Sequence, residues 1–252
     1  MSDVNDRIGE EKTNNFGSTM IIKEYRGCMD IDVYFPKYNY TTEHVQYDNF
    51  KKGNIKCVYE PRTFEVGYLG EGEYNTSING KSTKYHEIWI EMLRRCYSPK
   101  YIEKYPTYKG SEVCSQWHNF QNFARWVEEN YYNIGEEQIC LDKDILIKGN
   151  KIYSPQTCVF VPQTINKLFT KSNKCRGNLP IGVSRMDKKY RACCSVNKKN
   201  ISLGCYDTPE EAFQAYKNFK EKYIKEIAEK YKDKIPSKLY DAMIMYQVEI
   251  DD

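Results

Sequence analysis

The chain has 252 residues and carries 38 lysines and arginines against 35 aspartates and glutamates, a formal net charge of +3. This balance excludes a polybasic arm or an acidic tail as the character of the whole chain, so any attraction to a polyanion has to be local. Its apolar runs all fall short of the roughly 18 residues that a membrane-spanning helix needs, which argues against an integral membrane protein.

Ten cysteines are present, none of them in a CxxC pair, and residues 1–15 contain no apolar leader. We therefore expect a reduced, cytoplasmic protein. One set of cysteines is a candidate structural zinc site: Cys96, Cys114, Cys140 and Cys158. Their spacings of 18, 26 and 18 residues match no zinc-ribbon pattern, and free cysteine packs readily as a small hydrophobe. We favour packing over zinc binding for these residues.

Two segments make up the N-terminal part of the chain. Residues 1–14 are polar and lack a hydrophobic period, which predicts a flexible tail. In residues 15–64, short β-branched and aromatic runs broken by glycine and proline predict a small β module. The basic stretch at residues 50–57 predicts an exposed hairpin, for which a solvated edge strand is favoured over contact with a phosphate backbone.

Helical periodicity dominates the next segment. Apolar residues recur every three or four positions from Tyr85 to Cys96, and the dipeptide at 98–99, Ser-Pro, ends this helix. A second helix with a similar apolar stripe is predicted from Ser115 to near Gly135. Core packing explains both stripes.

The following segment predicts the order strand, loop, strand, helix. A short apolar strand leads to a polar turn at residues 148–150. Ser154 and Pro155 have the residue types of an N-cap and a first helical position, so we predict that a short helix begins there.

The C-terminal part begins with a basic linker at residues 171–178. Residues 179–235 then contain three short predicted strands and one long predicted helix, and residues 236–252 form an extension. The helix start is well specified, because Thr208, Pro209 and Glu211 have the spacing of a capping box with proline at the first position.

One face of this predicted sheet is cationic. A two-residue period directs Ala192 and Cys194 toward the helix and leaves Lys189, Arg191 and Ser195 on the opposite face. Residues 171–204 hold nine lysines and arginines and a single acid, Asp187. Such segregation in a nearly neutral chain is typical of a nucleic-acid-binding surface, although a solvated strand face is the alternative.

Residues 177–230 resemble the plant APETALA/ethylene-response type of DNA-binding domain. The resemblance rests on GVSRMDKKYRACCSV followed by LGCYDTPEEAFQAY. It implies a three-stranded sheet in the DNA major groove with the helix as backing. It also implies base-side contacts from Arg185, Lys189, Arg191 and Ser195, and phosphate contacts from Lys188, Lys198 and Lys199. Arginine is the usual bidentate reader of guanine, whereas lysine mainly positions the protein.

Residues 85–169 resemble the HNH endonucleases of bacteriophages, also called homing-endonuclease-like proteins. The matching pieces occur in order and comprise WIEM and RC in the first helix, VCSQW, LDKD, GN and YSPQTC. The resemblance implies a ββα nuclease block that binds Mg²⁺ or another divalent metal. It further implies a phage or prophage protein that acts on double-stranded DNA in the bacterial cytoplasm.

The catalytic residues that this resemblance implies are Asp142, Lys143, Asp144 and Asn150, with Asp142 and Asp144 as metal ligands. Asn150 or Asn166 would complete the site. The usual general base of such enzymes is a histidine, but Lys143 stands at that position and no histidine follows His118. Lysine with an ordinary pKa is a poor base at neutral pH. A polar turn beside a hairpin would give the same residue pattern.

The sequence therefore predicts an α+β fold with three parts. These are the small N-terminal β module, an HNH-like ββα block with flanking helices at residues 65–170, and a three-stranded antiparallel sheet backed by one long helix. The favoured function is sequence-specific binding of double-stranded DNA combined with metal-dependent nicking or cleavage. The alternative is a catalytically inactive DNA-binding regulator or accessory protein that uses the HNH block as a scaffold.

Overall fold

A computed structural model describes residues 7–170, 178–196, 199–250 and 252. Antiparallel sheets and helices occupy different segments, which confirms the predicted α+β class. In the part of the chain described, no helix is long and apolar enough to cross a membrane.

The chain divides into two compact units. The first contains Met1–Glu129 and Lys151–Pro155, and the second contains Asn130–Asn150 and Gln156–Asp252. The division falls inside residues 65–170, which the sequence predicts as one HNH-like domain.

An antiparallel sheet forms the N-terminal part of the first unit. Its four strands follow chain order: β1 (Glu11–Thr13), β2 (Thr19–Gly27), β3 (Asp30–Phe35) and β4 (Tyr40–Val45). Alternate residues such as Ile22, Val33 and Phe35 are buried in its core. The prediction of a flexible tail is wrong for β1, which pairs with β2 through its backbone. Because all three β1 side chains are exposed, no hydrophobic pattern predicts this strand.

The basic stretch at residues 50–57 is neither a hairpin nor an edge strand. A short helix, α1 (Tyr47–Lys51), leads into a turn and an irregular segment. Phe50, Ile55 and Cys57 are buried in the core of the sheet, whereas Lys56 is exposed. The apolar residues between the lysines thus anchor this segment to the module.

In the described part of the first unit, three helices and four short strands follow. They are β5 (Ser77–Ile78), β6 (Lys81–Ser82), α2 (Lys84–Tyr97), α3 (Pro99–Lys104), β7 (Glu112–Val113), α4 (Phe120–Asn130) and, further along the chain, β9 (Ile152–Tyr153). The α2 helix ends as predicted, but Ser98 then caps α3. The predicted start of the second helix at Ser115 is wrong, because residues 115–118 form a 3-10 turn and α4 begins at Phe120.

The second unit begins with an antiparallel pair of strands. These are β8 (Ile139–Asp142) and β10 (Val159–Pro162), and α5 (Gln163–Asn166) follows β10 directly. The predicted helix start at Ser154 and Pro155 is therefore wrong: these residues lie in a turn before β10. All four residues of β10 are buried, so tertiary burial overrides the local preference for a helix start.

A second antiparallel sheet and two helices complete this unit. They are β11 (Val183–Met186), β12 (Lys189–Val196), β13 (Lys199–Tyr206), α6 (Pro209–Tyr231) and α7 (Ser237–Met245), with β12 at the centre of the sheet. The α6 helix packs on one face of the sheet, where Ala192 and Cys194 meet Ala212, Phe213 and Tyr216. The prediction of three strands backed by one long helix is confirmed.

The capping box of α6 gives a stability prediction. Thr208 Oγ1 accepts from the backbone N–H of Glu211 at 3.3 Å, and the Glu211 carboxylate accepts from the backbone N–H of Thr208 at 3.2 Å. Replacing Thr208→Ala should lower the free energy of unfolding by about 1 kcal/mol, because the helix loses its N-cap. Urea unfolding followed by circular dichroism measures the loss. Thr208→Ser should stay close to wild type, and equal stability of the alanine variant would contradict the prediction.

Candidate nucleic-acid interface and the predicted nuclease site

The face of the C-terminal sheet opposite α6 is open to solvent. Along β12 the side chains alternate: Ala192 and Cys194 are buried against α6, whereas Lys189, Arg191 and Ser195 are exposed. This alternation is the one that the two-residue period predicts. We call this surface, with the cross-strand neighbours of its β12 residues, the open sheet face.

Arg191 lies in the middle of the open sheet face. Its cross-strand neighbours are Ser184 on β11 and Cys205 on β13. Among the described residues Arg191 has no ion-pair partner, whereas the Lys189 ammonium lies 3.0 Å from Asp207 Oδ1. The two cations of the central strand therefore differ, because only Lys189 is already partly neutralised.

Two of the predicted contact residues lie on the other face by register. Arg185 is directly opposite Tyr190, and Lys199 is directly opposite Val196, so both belong to the side that α6 covers. They are exposed at the margins of the sheet, and this corrects the expectation that Arg185 shares a face with Arg191. Lys188 is exposed in the turn between β11 and β12, and the predicted contact Lys198 lies outside the described residues.

Sequence reasoning missed several polar groups on the open sheet face. Cys193 is paired with Ser202, and Ser195 with Asn200. A register shift between Ala192 and Cys193 changes which β13 residues share the face with Arg191. Simple alternation on each strand does not predict this shift, and only the cross-strand pairing reveals these neighbours.

Asp142 is the last residue of β8, and the other predicted nuclease residues, Lys143, Asp144 and Asn150, lie in the loop that follows. Asp142 Oδ1 accepts hydrogen bonds from the backbone N–H groups of Asp144 at 2.9 Å and of Ile145 at 2.8 Å. This arrangement is an Asx-type turn, in which a side chain satisfies backbone donors that would otherwise lack a partner. One oxygen of the predicted metal ligand thus holds the loop backbone.

Lys143 is buried, with only 6% of the residue exposed. Its ammonium donates to Asn150 O at 2.9 Å and to Asp144 Oδ2 at 3.2 Å, and Asn150 Nδ2 donates to Lys143 O at 2.6 Å. The loop is therefore closed by reciprocal hydrogen bonds between residues 143 and 150. Lys143, which the resemblance puts at the position of the general base, is thus hydrogen-bonded within the loop.

The carboxylates of Asp142 and Asp144 already have hydrogen-bond partners within the loop. Mg²⁺ requires near-octahedral oxygen ligation, but one Asp142 oxygen serves two backbone donors and Asp144 already faces the Lys143 ammonium. Burial, and then the negative charge of Asp144, raise the pKa of Asp142 to about 6. Asp142 therefore holds a proton up to a higher pH than an ordinary aspartate does.

The sequence does not predict another acidic cluster, which lies on the N-terminal sheet. Asp30, Asp32 and His44 are the one group of three or more metal-ligating types that the described residues bring within reach of a common ion. Arg26 donates to both carboxylates, and His44 Nδ1 lies 3.0 Å from Asp30 Oδ1. The bond to Arg26, followed by that to His44, lowers the pKa of Asp30 to about 2. The Arg26 guanidinium therefore supplies the positive charge that balances these two carboxylates.

Histidines and cysteines complete the set of predicted candidates. His86 and His118 are half-buried, and His118 Nε2 lies 3.0 Å from Val113 O. Cys96 and Cys158 are buried, whereas Cys114 and Cys140 are half-buried. These positions fit packing and local hydrogen bonding.

No protein-family model, curated protein or solved structure matches the chain.

The raised pKa of Asp142 predicts a pH effect on stability. A folded-state value near 6 means that the native protein keeps a proton which the unfolded chain releases near pH 4. The contribution of Asp142 to the free energy of unfolding therefore falls as the pH rises from about 4 to about 6. Asp142→Asn cannot ionise and keeps the turn acceptor.

Over this pH range the asparagine variant should gain about 1–2 kcal/mol relative to wild type. Urea unfolding of both proteins at several pH values measures the difference. Taking the difference between the two proteins removes the titration of the other carboxylates. A constant difference between the two curves would contradict the prediction.

Proposed function

We propose that the protein binds double-stranded DNA in a sequence-specific manner through the open sheet face. The observation that carries this proposal is Arg191, an exposed guanidinium at the centre of the sheet without an ion-pair partner among the described residues. Because α6 packs on the opposite face, the open sheet face is the side of this sheet that we propose for recognition. The resemblance of residues 177–230 to the APETALA type supports the same assignment.

The chemistry of the open sheet face suits the edges of base pairs. A guanidinium binds the O6 and N7 atoms of guanine in a bidentate way, and serine or asparagine side chains accept or donate single hydrogen bonds in the major groove. Ser195 and Asn200 form one cross-strand pair, and Ser202 lies opposite Cys193. Lys188, exposed in the turn between β11 and β12, is our candidate for a phosphate contact, which orients the protein without reading sequence.

For the loop after β8 we infer a structural role, in which the HNH-like block is a scaffold and not a nuclease. Lys143 is buried and bonded to Asn150 and Asp144, so it is poorly available as a base or as a phosphate ligand. Metal-dependent nicking is the second candidate function, and the raised pKa of Asp142 favours it. A carboxylate that titrates near neutral pH suits general base catalysis.

The resemblance to phage HNH proteins bears on biological context. We propose that the protein is encoded by a phage or prophage and acts on DNA in the cytoplasm of a bacterial host. A selection experiment with random duplexes would identify its target sequence.

Arg191→Ala should weaken binding to the selected duplex by about 1–3 kcal/mol and relax discrimination at one base position. Binding of selected and random duplexes is compared by fluorescence anisotropy at fixed salt. Lys222→Ala is a matched control, because it removes an exposed cation from the helix and should leave discrimination unchanged. Equal losses on both duplexes for the arginine variant would place Arg191 on the backbone and contradict base reading.

The scaffold assignment predicts that wild-type protein does not nick supercoiled plasmid in Mg²⁺ or Mn²⁺ above the level of an Asp142→Asn, Asp144→Asn double variant. The physical reason is the commitment of Lys143 and Asp142 to the loop backbone. Agarose gel analysis of plasmid topology measures this. Metal-dependent nicking by wild type that the double variant lacks would establish the second candidate instead.

A further inference from the structure

The loop between β1 and β2 in the first unit is held by a buried asparagine. Asn14 Oδ1 accepts from the backbone N–H groups of Phe16 at 3.0 Å and Ser18 at 2.8 Å. Its Nδ2 donates to Ile55 O at 3.1 Å and to Glu60 Oε1 at 3.0 Å. A single side chain thus fixes the loop and joins it to the segment that follows α1.

Asn15 adds a second set of bonds to the same segment. Its backbone N–H donates to Gly53 O at 2.9 Å, and its side-chain amide donates to Lys52 O at 3.0 Å. A Cβ at Gly53, whose φ is +70°, would lie 2.8 Å from Asn15 Oδ1. The close approach needs glycine, and it makes the position of the loop specific.

These bonds place an aromatic ring and two cations together on the surface. Phe16 is 44% exposed. Lys56 Nζ lies 5.6 Å and Arg62 Cζ 5.2 Å from the centre of its ring. Both distances are in the range of cation–π contacts. We call Phe16, Lys56 and Arg62 the Phe16 patch.

The cations of the Phe16 patch differ in their ion pairing from the other arginines of the N-terminal module. Arg7 pairs with Glu10, and Arg26 pairs with Glu24, Asp30 and Asp32. Within the described residues, neither Lys56 nor Arg62 has a carboxylate partner. The neighbouring Glu60 is buried on the Asn14 amide, so it does not serve as their partner. Lys56 is exposed and Arg62 is half-buried, so this ordered surface carries two positive charges without a carboxylate partner among the described residues.

We propose that the Phe16 patch binds the phosphate backbone of the DNA, as a second contact on the N-terminal unit. This proposal rests on the proposed DNA-binding function. The guanidinium offers a fork of N–H donors that matches phosphate geometry, and the ammonium adds a point charge beside it. The ring holds both cations by its apolar and π surface and leaves their charge unneutralised, which is the arrangement that releases counterions when phosphate binds.

The test measures the salt dependence of binding for charge-removing variants. Each phosphate contact contributes about 0.9 to the slope of log K against log salt on duplex DNA. The Lys56→Gln, Arg62→Gln double variant should therefore flatten the slope by about 1.8. The control is Lys23→Gln, Lys37→Gln, which removes two exposed lysines from the same module, one of them also lying against an aromatic ring, Tyr38. The control should keep the wild-type slope.

A site-specific crosslink gives an independent readout. The photoreactive residue p-benzoylphenylalanine replaces Phe16 in one protein and Met29 in another, since Met29 is 66% exposed in the β2–β3 turn. Irradiation with labelled duplex should crosslink DNA at position 16 and much less at position 29. Circular dichroism of each variant verifies that the fold is retained.

The outcomes separate the two proposals. Wild type that fails to bind duplex DNA would overturn the proposed function itself. Wild type that binds, with an unchanged slope in the Lys56→Gln, Arg62→Gln variant and no crosslink at position 16, would overturn only the Phe16 patch. In that case an acidic protein surface becomes the better candidate for these cations. A flattened slope together with the crosslink supports the proposal.

Discussion

Hydrogen bonds from buried polar side chains to loop backbone hold the irregular parts of each unit in place. Backbone N–H and C=O groups that leave water need partners, and a loop cannot supply them to itself as a helix or sheet does. Asn14 serves the loop before β2, and Gln121 bonds to both the N–H and the C=O of Tyr74 at 3.0 Å. Lys143 and Asn150 do the same between β8 and β9. The Phe16 patch depends on a loop that is fixed in this way.

This constraint is also the reason for proposing that the HNH-like segment is a scaffold. A residue that stabilises a buried loop is held by partners that it cannot release without cost, because a buried polar group left unpaired costs about 1–3 kcal/mol. Lys143 would have to leave both the Asn150 carbonyl and the Asp144 carboxylate to act on a substrate. The residue types that resemble a catalytic signature therefore also meet the requirements of a stable turn.

Elements with a clear hydrophobic period could be predicted from the sequence, and the rest depends on tertiary contacts. The α2 stripe, the alternation on β12 and the capping box of α6 are local patterns, and the structure confirms them. Strand β1 has no buried side chain, so nothing local predicts it. The turn at Ser154 contains good helix-start residues, but the buried strand β10 follows it. The burial of Lys143 depends on a residue seven positions away and could not be predicted from composition.

The candidate interface shows the same limit in its charges. Counting lysines and arginines identifies residues 171–204 as basic, but the count treats every cation as equal. The structure separates Arg191 from Lys189, which lies against Asp207, and it places Arg185 on the face opposite to Arg191. It also shows that Lys56 and Arg62 share one ring in a module whose other arginines are ion-paired. In a chain with a net charge of only +3, the proposed attraction to DNA depends on which cations lack internal partners. This is a property of the side-chain pairing and not of the sequence composition.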